Sequence, residues 1–194
     1  MQRRRGCQPP ARQAREPDPR EPDRGRGATI GFVIELRDAS APPLLAVARA
    51  LFEEYQAAIG VDLCFQGFDR ELAGLPGAYV PPAGRLLVAI VDGEHAGCGA
   101  LRPVGPGVAE MKRLWIRPAF RGRGLGRTVA EALVRAADGE GYGAVRLDTL
   151  AGMREAQALY ASMGFRAIPP YYENPLPGVV YMERVREPSA RGGA

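Results

Sequence analysis

Three glycines and two arginines are interleaved in the segment Arg121-Gly122-Arg123-Gly124-Leu125-Gly126, between a predicted strand and a predicted helix. The strand prediction covers residues 110–117, and Leu125, Val129 and Leu133 then recur at helical spacing. Backbone N–H groups at a helix start have no partner within the helix, and the helix dipole adds positive potential there. Glycines let a ligand approach these amides closely, and the arginines add charge. The segment therefore predicts a phosphate or pyrophosphate site, typical of a nucleotide-like cofactor.

The spacing of the glycines separates this loop from two common nucleotide sites. A dinucleotide fingerprint has the form G-x-G-x-x-G in an early βαβ unit, and a nucleoside-triphosphate loop ends in Lys followed by Ser or Thr. Here the glycines follow G-x-G-x-G past the middle of the chain, and no lysine follows them. The R-x-x-G-x-G form, with Arg121, Gly124 and Gly126, resembles the acetyl-CoA pyrophosphate loop of the GCN5-related N-acetyltransferase (GNAT) family.

A second motif lies about thirty residues downstream. Residues 156–165 read AQALYASMGF and resemble the A-x-x-L-Y-x-x-x-G-F signature of the same family, a short helix that ends at a glycine and enters a strand. A strand is predicted between the two motifs, at residues 144–149. The resemblance covers roughly residues 85–183. It implies an α+β fold of three layers, with a mixed, mostly antiparallel central sheet, two splayed central strands and flanking helices.

The resemblance implies acetyl-CoA as the co-substrate. The pyrophosphate is expected on the loop and the first helical turn, and pantetheine beside the backbone of the splayed strand. Many relatives also use an asparagine seven residues before the signature tyrosine to bind pantetheine, and this chain has methionine there. The cofactor-binding residues expected in this way are Arg121, Gly122, Arg123, Gly124, Leu125, Gly126, Arg127 and Thr128, the strand residues Leu114, Trp115 and Ile116, and Met153.

Acetyl transfer to an amine sets three chemical demands. An aliphatic amine is only about one part in a few thousand neutral at pH 7, so a proton must be removed before nitrogen attacks the thioester. The tetrahedral oxyanion then needs a hydrogen-bond donor, and the resemblance implies a backbone N–H near residues 114–116 for this part. Finally the leaving thiolate needs a proton. Tyr160 occupies the position at which the family places this general acid, although a lone tyrosine can equally be a packing residue.

Two carboxylates are level candidates for the general base. Asp148 lies on the strand after the glycine loop, twelve residues before Tyr160. Glu110 begins the strand that leads into the loop, where many relatives use an acid. Each is otherwise a solvated or ion-paired carboxylate, and Lys112 lies on the same strand face as Glu110.

The acceptor is left open by the sequence. Aromatic residues in two segments are candidates for its wall, and the tyrosines among them can equally pack the last hairpin. The leading hypothesis is a primary amine of a small molecule, followed by a protein N-terminus or lysine. A non-catalytic acyl-CoA sensor is a third hypothesis, against which Tyr160 and the two acids argue. The candidate substrate-binding residues are Phe65, Phe68, Tyr171 and Tyr172.

Composition predicts one domain with two tails. Residues 28–186 are expected to form the N-acetyltransferase domain, and residues 1–27 and 187–194 to be disordered. The first tail holds eight arginines and four acidic residues, so it carries the whole net charge of +4. Because its acids interrupt the arginines, we do not expect a nucleic-acid partner.

Other features limit the class of protein further. No apolar run approaches the ~20 residues of a membrane span, and the charged N-terminus lacks a secretory signal. Cys7, Cys64 and Cys98 are widely spaced, which favours reduced thiols in a cytoplasmic protein and no metal site. His95 is the only histidine and lies beside a turn signal. A homodimer is one candidate oligomeric state.

Hydrophobic periodicity and turn signals outline the remaining elements. A first strand is expected at residues 30–36, a helix at 44–59 that ends at Gly60, and a short helix at 69–75. Two hairpins are expected, one from residues 85–91 and 95–102, and the other from residues 165–168 and 179–185.

Overall fold

The computed structural model describes residues 32–61, 63 and 66–187. Its regular elements, in chain order, are β1 (Ile34–Asp38), α1 (Leu44–Ile59), α2 (Phe68–Ala73), β2 (Arg85–Val91), β3 (Glu94–Gly105), β4 (Val108–Ile116), α3 (Leu125–Gly139), β5 (Ala144–Leu150), α4 (Arg154–Ser162), β6 (Arg166–Ile168) and β7 (Val179–Val185). Short 3₁₀ turns occur at Gly77–Tyr79 and Pro118–Phe120. Of the two predicted tails, all of residues 1–27 and residues 188–194 of the second lie outside the described residues.

The seven strands in this part of the chain form one sheet, ordered β1-β2-β3-β4-β5-β7-β6. Every neighbouring pair is antiparallel except β4 and β5, which are parallel. This parallel pair is short: it runs from Val108 opposite Ala144 to Glu110 opposite Arg146, and the strands then diverge. The predicted mixed, mostly antiparallel sheet with two splayed central strands is confirmed.

Helices cover both faces of the sheet, which gives the predicted three layers. On one face, α1 packs Leu51 and Phe52 against Leu86 and Val88 of β2. On the other face, the apolar side of α3, including Val129 and Leu133, packs with α4 against the sheet.

Gly99 on β3 allows α3 to approach the sheet closely. A Cβ atom at this position would lie 2.7 Å from Cγ1 of Val129 and 3.0 Å from Cδ1 of Leu133. A larger residue at position 99 would clash with these two side chains of α3. The glycine therefore permits the short distance between α3 and the sheet.

Most element boundaries lie within a few residues of the predicted ones, and the differences have local causes. Helix α1 ends as expected at Gly60, which adopts a left-handed conformation with φ of 64°. Strand β1 continues to Asp38 because it pairs with β2 as far as Leu87. Strand β3 extends beyond the prediction to Gly105, through a register shift beside Pro103, which has no N–H to donate. None of the helices in residues 32–187, outside the undescribed positions, is long and apolar enough to cross a membrane.

Candidate active site

A cavity of about 50 Å³ opens where β4 and β5 diverge. Four of the predicted site residues line it: Leu114 from β4, Asp148 from β5, Met153 from the start of α4 and Tyr160 from α4. The fork between the strands therefore brings together the strand that leads into the glycine loop, the strand between the two motifs and Tyr160 of the second motif. The cavity is the candidate active site, because it is concave and is lined by several polar groups.

A β-bulge in β4 shapes one wall of the cavity. The pairing of β3 with β4 shifts between Cys98, which lies opposite Trp115, and Ala100, which lies opposite Lys112. Within the shift, Arg113 has a positive φ of 57°, unusual for a residue with a side chain. Two β4 residues thus share the space of one on β3, which redirects the strand at the point where it leaves β5.

A buried ion pair holds this bulge in place. Nε and an Nη atom of Arg113 donate to the two carboxylate oxygens of Glu71 at 3.0 and 2.7 Å. The Arg113 side chain is 2% exposed and that of Glu71 is 11% exposed. The guanidinium also lies 5.0 Å from the centre of the Phe68 ring. Burial alone would raise the pKa of Glu71, but the hydrogen bonds and charge of Arg113 outweigh it, so the pKa lies below its ordinary value.

We expect Glu71→Gln to destabilise the protein by about 3–5 kcal/mol, because it leaves the buried Arg113 charge without a charged partner. The lowered pKa of Glu71 means that this stabilisation is complete above its unfolded value and is lost as pH falls through the folded value. The stability difference between wild type and variant should therefore narrow below about pH 4. Urea unfolding at neutral and acidic pH measures both effects.

Glu140→Gln is the control for this prediction. It removes an ion pair with Arg85 whose side chains are 23% and 31% exposed, so we expect a change of about 1 kcal/mol or less. If Glu71→Gln were no more destabilising than Glu140→Gln, the ion pair with Arg113 would not be what holds the bulge.

Tyr160 presents its hydroxyl to the cavity from a buried ring. The ring packs on Phe165, with centroids 5.8 Å apart. None of the hydrogen bonds among the described residues uses the Tyr160 hydroxyl. Burial raises the pKa of Tyr160 well above its ordinary value, and negative charge on Tyr55 or Asp148 would raise it further. The phenol therefore stays protonated throughout the physiological range and has a proton that it can donate.

The two candidate bases lie in different environments. Asp148 lines the cavity, its side chain is 17% exposed, and its Oδ1 lies 3.9 Å from Nζ of Lys112. Glu110 is almost fully buried outside the cavity lining and accepts hydrogen bonds from Arg102 at 2.9 Å and from the Tyr171 hydroxyl at 2.8 Å. Its Oε2 also lies 3.8 Å from the Lys112 ammonium, as the ion-paired alternative expects. Only Asp148 shares the cavity with Tyr160.

The predicted acceptor wall corresponds poorly to the observed cavity. Phe68 does not line it: the side chain is completely buried in the core beneath Arg113. Tyr171 and Tyr172 are not part of the lining either. Both rings pack on Tyr181 of β7, at 5.2 and 5.4 Å between centroids, and the Tyr172 hydroxyl accepts a hydrogen bond at 3.1 Å from Gln66, which does line the cavity. These contacts agree with the packing alternative, and a role of either tyrosine in binding the acceptor substrate stays a prediction. The fourth candidate, Phe65, lies outside the described residues.

The backbone of the glycine loop, residues 121–126, leads directly into α3 as expected. Helix α3 begins at Leu125, directly after Gly124, which adopts a left-handed conformation with φ of 74°. A Cβ atom built at Gly124 would meet nothing within 4 Å, so the space beside this residue at the helix start is open. The first helical hydrogen bond runs from the Thr128 N–H to the Gly124 carbonyl, which also accepts a hydrogen bond from the Thr128 hydroxyl.

The loop arginines are held by contacts with neighbouring residues. The guanidinium of Arg121 lies 4.8 Å from the centre of the Trp115 ring, and its Nε donates to the Ile116 carbonyl at 3.0 Å. Arg123 lies 4.3 Å from the centre of the Phe32 ring. On α3, Arg127 donates to the Ser162 hydroxyl at 2.6 Å. Their charges surround the loop, and N–H groups of Arg121 and Arg123 that make no hydrogen bond among the described residues lie beside the backbone amides.

The side chains of the strand residues predicted to bind pantetheine lie in different surroundings. Leu114 faces the cavity, whereas the Trp115 side chain packs with α1 and that of Ile116 packs with α3 on the opposite face. Only the backbone of the latter two is available to a ligand in the fork. Met153, which stands where relatives carry asparagine, lines the cavity with its sulfur 3.7 Å from the Thr149 hydroxyl.

Five polar residues of the cavity were not singled out as site residues from the sequence: Tyr55 from α1, Gln66 before α2, Lys112 and Arg113 from β4, and Thr149 from β5. Tyr55 shows the spacing of a helix core position, and Gln66 lies in a loop, so neither carries a local signal. Lys112 does carry one, because it is the only lysine among 26 basic residues.

Comparison with known sequences identifies the family. Residues 47–165 match the model of the Acetyltransferase (GNAT) family. An uncharacterized N-acetyltransferase of Schizosaccharomyces pombe is 42% identical over 151 residues, which cover 77% of this chain and 93% of that protein. Another, from Dictyostelium discoideum, is 27% identical and covers 66% of this chain and 87% of that protein.

Solved structures with the same fold agree with this match. A GNAT-family acetyltransferase from Staphylococcus aureus aligns with a TM-score of 0.66 at 17% identity, over 79% of this chain and 99% of that one. The PaiA N-acetyltransferase of Thermoplasma acidophilum, solved in complex with coenzyme A, aligns with a TM-score of 0.59 at 21% identity, over 79% and 99% of the two chains. The chain with its forked sheet and glycine loop belongs to the GNAT family and is an N-acetyltransferase.

Proposed function

We propose that this protein transfers the acetyl group of acetyl-CoA to the primary amine of a small molecule, by direct attack of the amine on the thioester. The observation that carries the proposal is the cavity at the fork of β4 and β5, where the Tyr160 hydroxyl and the Asp148 carboxylate share one space with the β4 bulge. One acid, one base and one stretch of unpaired strand backbone are the groups that the reaction needs.

The glycine loop supports acetyl-CoA as the acetyl donor. The open space over Gly124 and the N-terminus of α3 suit a pyrophosphate bound by backbone amides, over residues 121–128. Beyond Glu110, β4 has no ladder partner on the β5 side within the described sheet, so the backbone of residues 114–116 can pair with pantetheine as an added strand does. The coenzyme A bound by the PaiA enzyme agrees with this donor, although that protein is only 21% identical.

Each group has a defined part in the proposed reaction. Asp148 takes a proton from the acceptor ammonium, directly or through water, and the neutral nitrogen attacks the thioester carbonyl. A backbone N–H at the β4 bulge donates to the oxyanion of the tetrahedral intermediate. When the carbon–sulfur bond breaks, Tyr160 donates its proton to the departing thiolate. The acetylated nitrogen loses its second proton to the Tyr160 phenolate, directly or through water, and Asp148 releases its own proton to solvent. The products are the N-acetylated amine and coenzyme A.

The small size of the cavity supports a small acceptor. Its volume is about 50 Å³, and α1 contributes Tyr55 and Ile59 to its wall while the segment before β7 contributes Leu176. Any acceptor must widen a cavity of this volume, and a compact amine displaces these walls less than an extended polypeptide does. The test is to measure thiol release from acetyl-CoA with small amines, amino acids and short peptides as acceptors. Turnover on peptides alone would transfer the assignment to protein acetylation, and acetyl-CoA binding without turnover on any acceptor would favour a sensor.

We expect Gly124→Asp to weaken acetyl-CoA binding by roughly 10- to 100-fold, because it places a negative charge beside the pyrophosphate. Gly124→Asn is the matched control, since it has the same shape without the charge and both residues tolerate the left-handed conformation. Calorimetric titration of the two folded variants isolates the charge effect. Equal affinities in the aspartate and asparagine variants would contradict a pyrophosphate at this turn.

A further inference from the structure

Lys112 is the only lysine in a chain with 26 basic residues, and it stands in the wall of the reaction cavity. Its side chain is 5% exposed. Everywhere else the chain uses arginine for positive charge. A lysine carries the same charge on a compact ammonium, whereas an arginine fork at this position would fill much of a cavity of about 50 Å³. The position thus combines a buried cation with space beside it.

The Lys112 ammonium has unused hydrogen-bonding capacity. Of its three N–H donors, one has an acceptor among the described residues, Oε1 of Gln66 at 3.3 Å. The carboxylate oxygens of Glu110 and Asp148 lie at 3.8 and 3.9 Å, close enough for attraction but too far for a hydrogen bond. Burial lowers the pKa of Lys112 despite the opposing attraction of Glu110 and Asp148, so an additional anion beside it would be stabilising.

The other cations near the cavity are already paired. Arg113 makes its two-point contact with Glu71, and Arg102 binds Glu110 through Nε at 2.9 Å and a terminal nitrogen at 2.8 Å. Glu110 in turn is satisfied by Arg102 and by the Tyr171 hydroxyl, so it does not depend on Lys112. Lys112 is therefore the cation in the described part of this site that can take up an incoming anion.

We propose that Lys112 binds a carboxylate of the acceptor, and that the acceptor is a small α-amino acid or a close analogue with its amine and carboxylate on one carbon. This inference rests on the proposed function and names the class of acceptor. The Lys112 ammonium and the Asp148 carboxylate, 3.9 Å apart, present opposite charges to one cavity. A zwitterion can bind them head to tail, with its ammonium on Asp148 and its carboxylate on Lys112.

This orientation also delivers the amine to the proposed base. The carboxylate on Lys112 fixes one end of the acceptor, so the nitrogen is held beside Asp148 and in the cavity that contains Tyr160. An amine without a carboxylate binds Asp148 only and leaves Lys112 desolvated. A peptide N-terminus has an amide in place of the carboxylate and loses the same interaction.

The kinetic test compares α-amino acids with their carboxamides, which have nearly the same size and keep the amine but lack the negative charge. For wild type we expect kcat/KM to be roughly 10- to 100-fold higher for the best amino acid than for its carboxamide, as for one charged hydrogen bond. In Lys112→Met, which keeps the apolar stem, this ratio should fall to about 1, chiefly through KM for the amino acid. A variant that loses activity on both acceptors equally, with an unchanged ratio, would overturn the proposal in favour of a structural lysine.

The single lysine allows a second test that does not depend on turnover. Wild-type protein labelled with [ε-¹³C]lysine has one lysine resonance, which reports on Lys112 alone. With coenzyme A present, we expect titration with the protein α-amino acids to shift this resonance for the acceptor and its close analogues, and not for the corresponding carboxamides. No shift with any amino acid would overturn the proposal even if Lys112→Met failed to fold. Turnover on plain amines without a shift would leave the acetyltransferase function standing and remove only the carboxylate site.

Discussion

Tyr160→Phe is expected to lower turnover by about 100- to 10,000-fold, the usual contribution of a general acid. The substitution keeps the ring that packs on Phe165 and removes only the hydroxyl that faces the cavity. The thiolate must then leave without a proton from the enzyme, so the loss should fall on kcat. Affinity for acetyl-CoA should change little, because the proton is transferred only as the carbon–sulfur bond breaks. Steady-state thiol release and calorimetric titration measure the two quantities.

Tyr142→Phe is the control for this experiment. The Tyr142 hydroxyl donates to the Ala83 carbonyl at 2.8 Å, away from the cavity lining, so its removal should leave turnover within about twofold of wild type. Because the pKa of Tyr160 lies well above its ordinary value, wild-type activity should not decline with a tyrosine pKa anywhere below about pH 10. A Tyr160→Phe enzyme with wild-type turnover would make Tyr160 a packing residue and give the thiolate another proton source.

The features that the sequence predicts well are those determined by neighbouring residues. The glycine loop and the start of α3 follow from backbone conformations that only a few residue types adopt, such as the left-handed Gly124. The end of α1 at Gly60 has the same origin. Tyr160 is predicted because its whole motif lies in one helix and the glycine turn after it. These signals are local, so they survive without knowledge of the fold.

The features that the sequence predicts poorly depend on how distant strands pair. The different surroundings of Asp148 and Glu110 depend on the point at which β4 and β5 separate, just beyond Glu110. The bulge at Arg113 exists only relative to β3, and its partner Glu71 lies on α2. The sequence around an aromatic residue such as Phe68 does not show whether its side chain lines a cavity or fills the core.

Asp148→Asn is the second substitution with a large expected effect. If Asp148 removes the proton from the acceptor, turnover at neutral pH should fall by about 100- to 10,000-fold. Raising the pH should partly restore it, because the neutral fraction of the free amine rises about tenfold for each pH unit below the amine pKa. The pH–rate profile of the variant should therefore climb toward that of wild type at alkaline pH, whereas Tyr160→Phe should show no such recovery.

Glu110→Gln separates a catalytic carboxylate from a structural one. Glu110 lies outside the cavity lining and pairs with Arg102, so we expect its substitution to lower stability by about 3 kcal/mol while the pH–rate profile keeps the wild-type shape. The two variants should thus differ in what they lose. Asp148→Asn should remain stable and lose the catalytic base, whereas Glu110→Gln should keep the base and lose stability. If the alkaline recovery appeared in a folded Glu110→Gln enzyme and Asp148→Asn behaved as wild type, the base would be Glu110. The proton of the acceptor amine would then have to reach Glu110 past the Lys112 ammonium. This ammonium lies 3.8 Å from the Glu110 carboxylate and 3.9 Å from the Asp148 carboxylate.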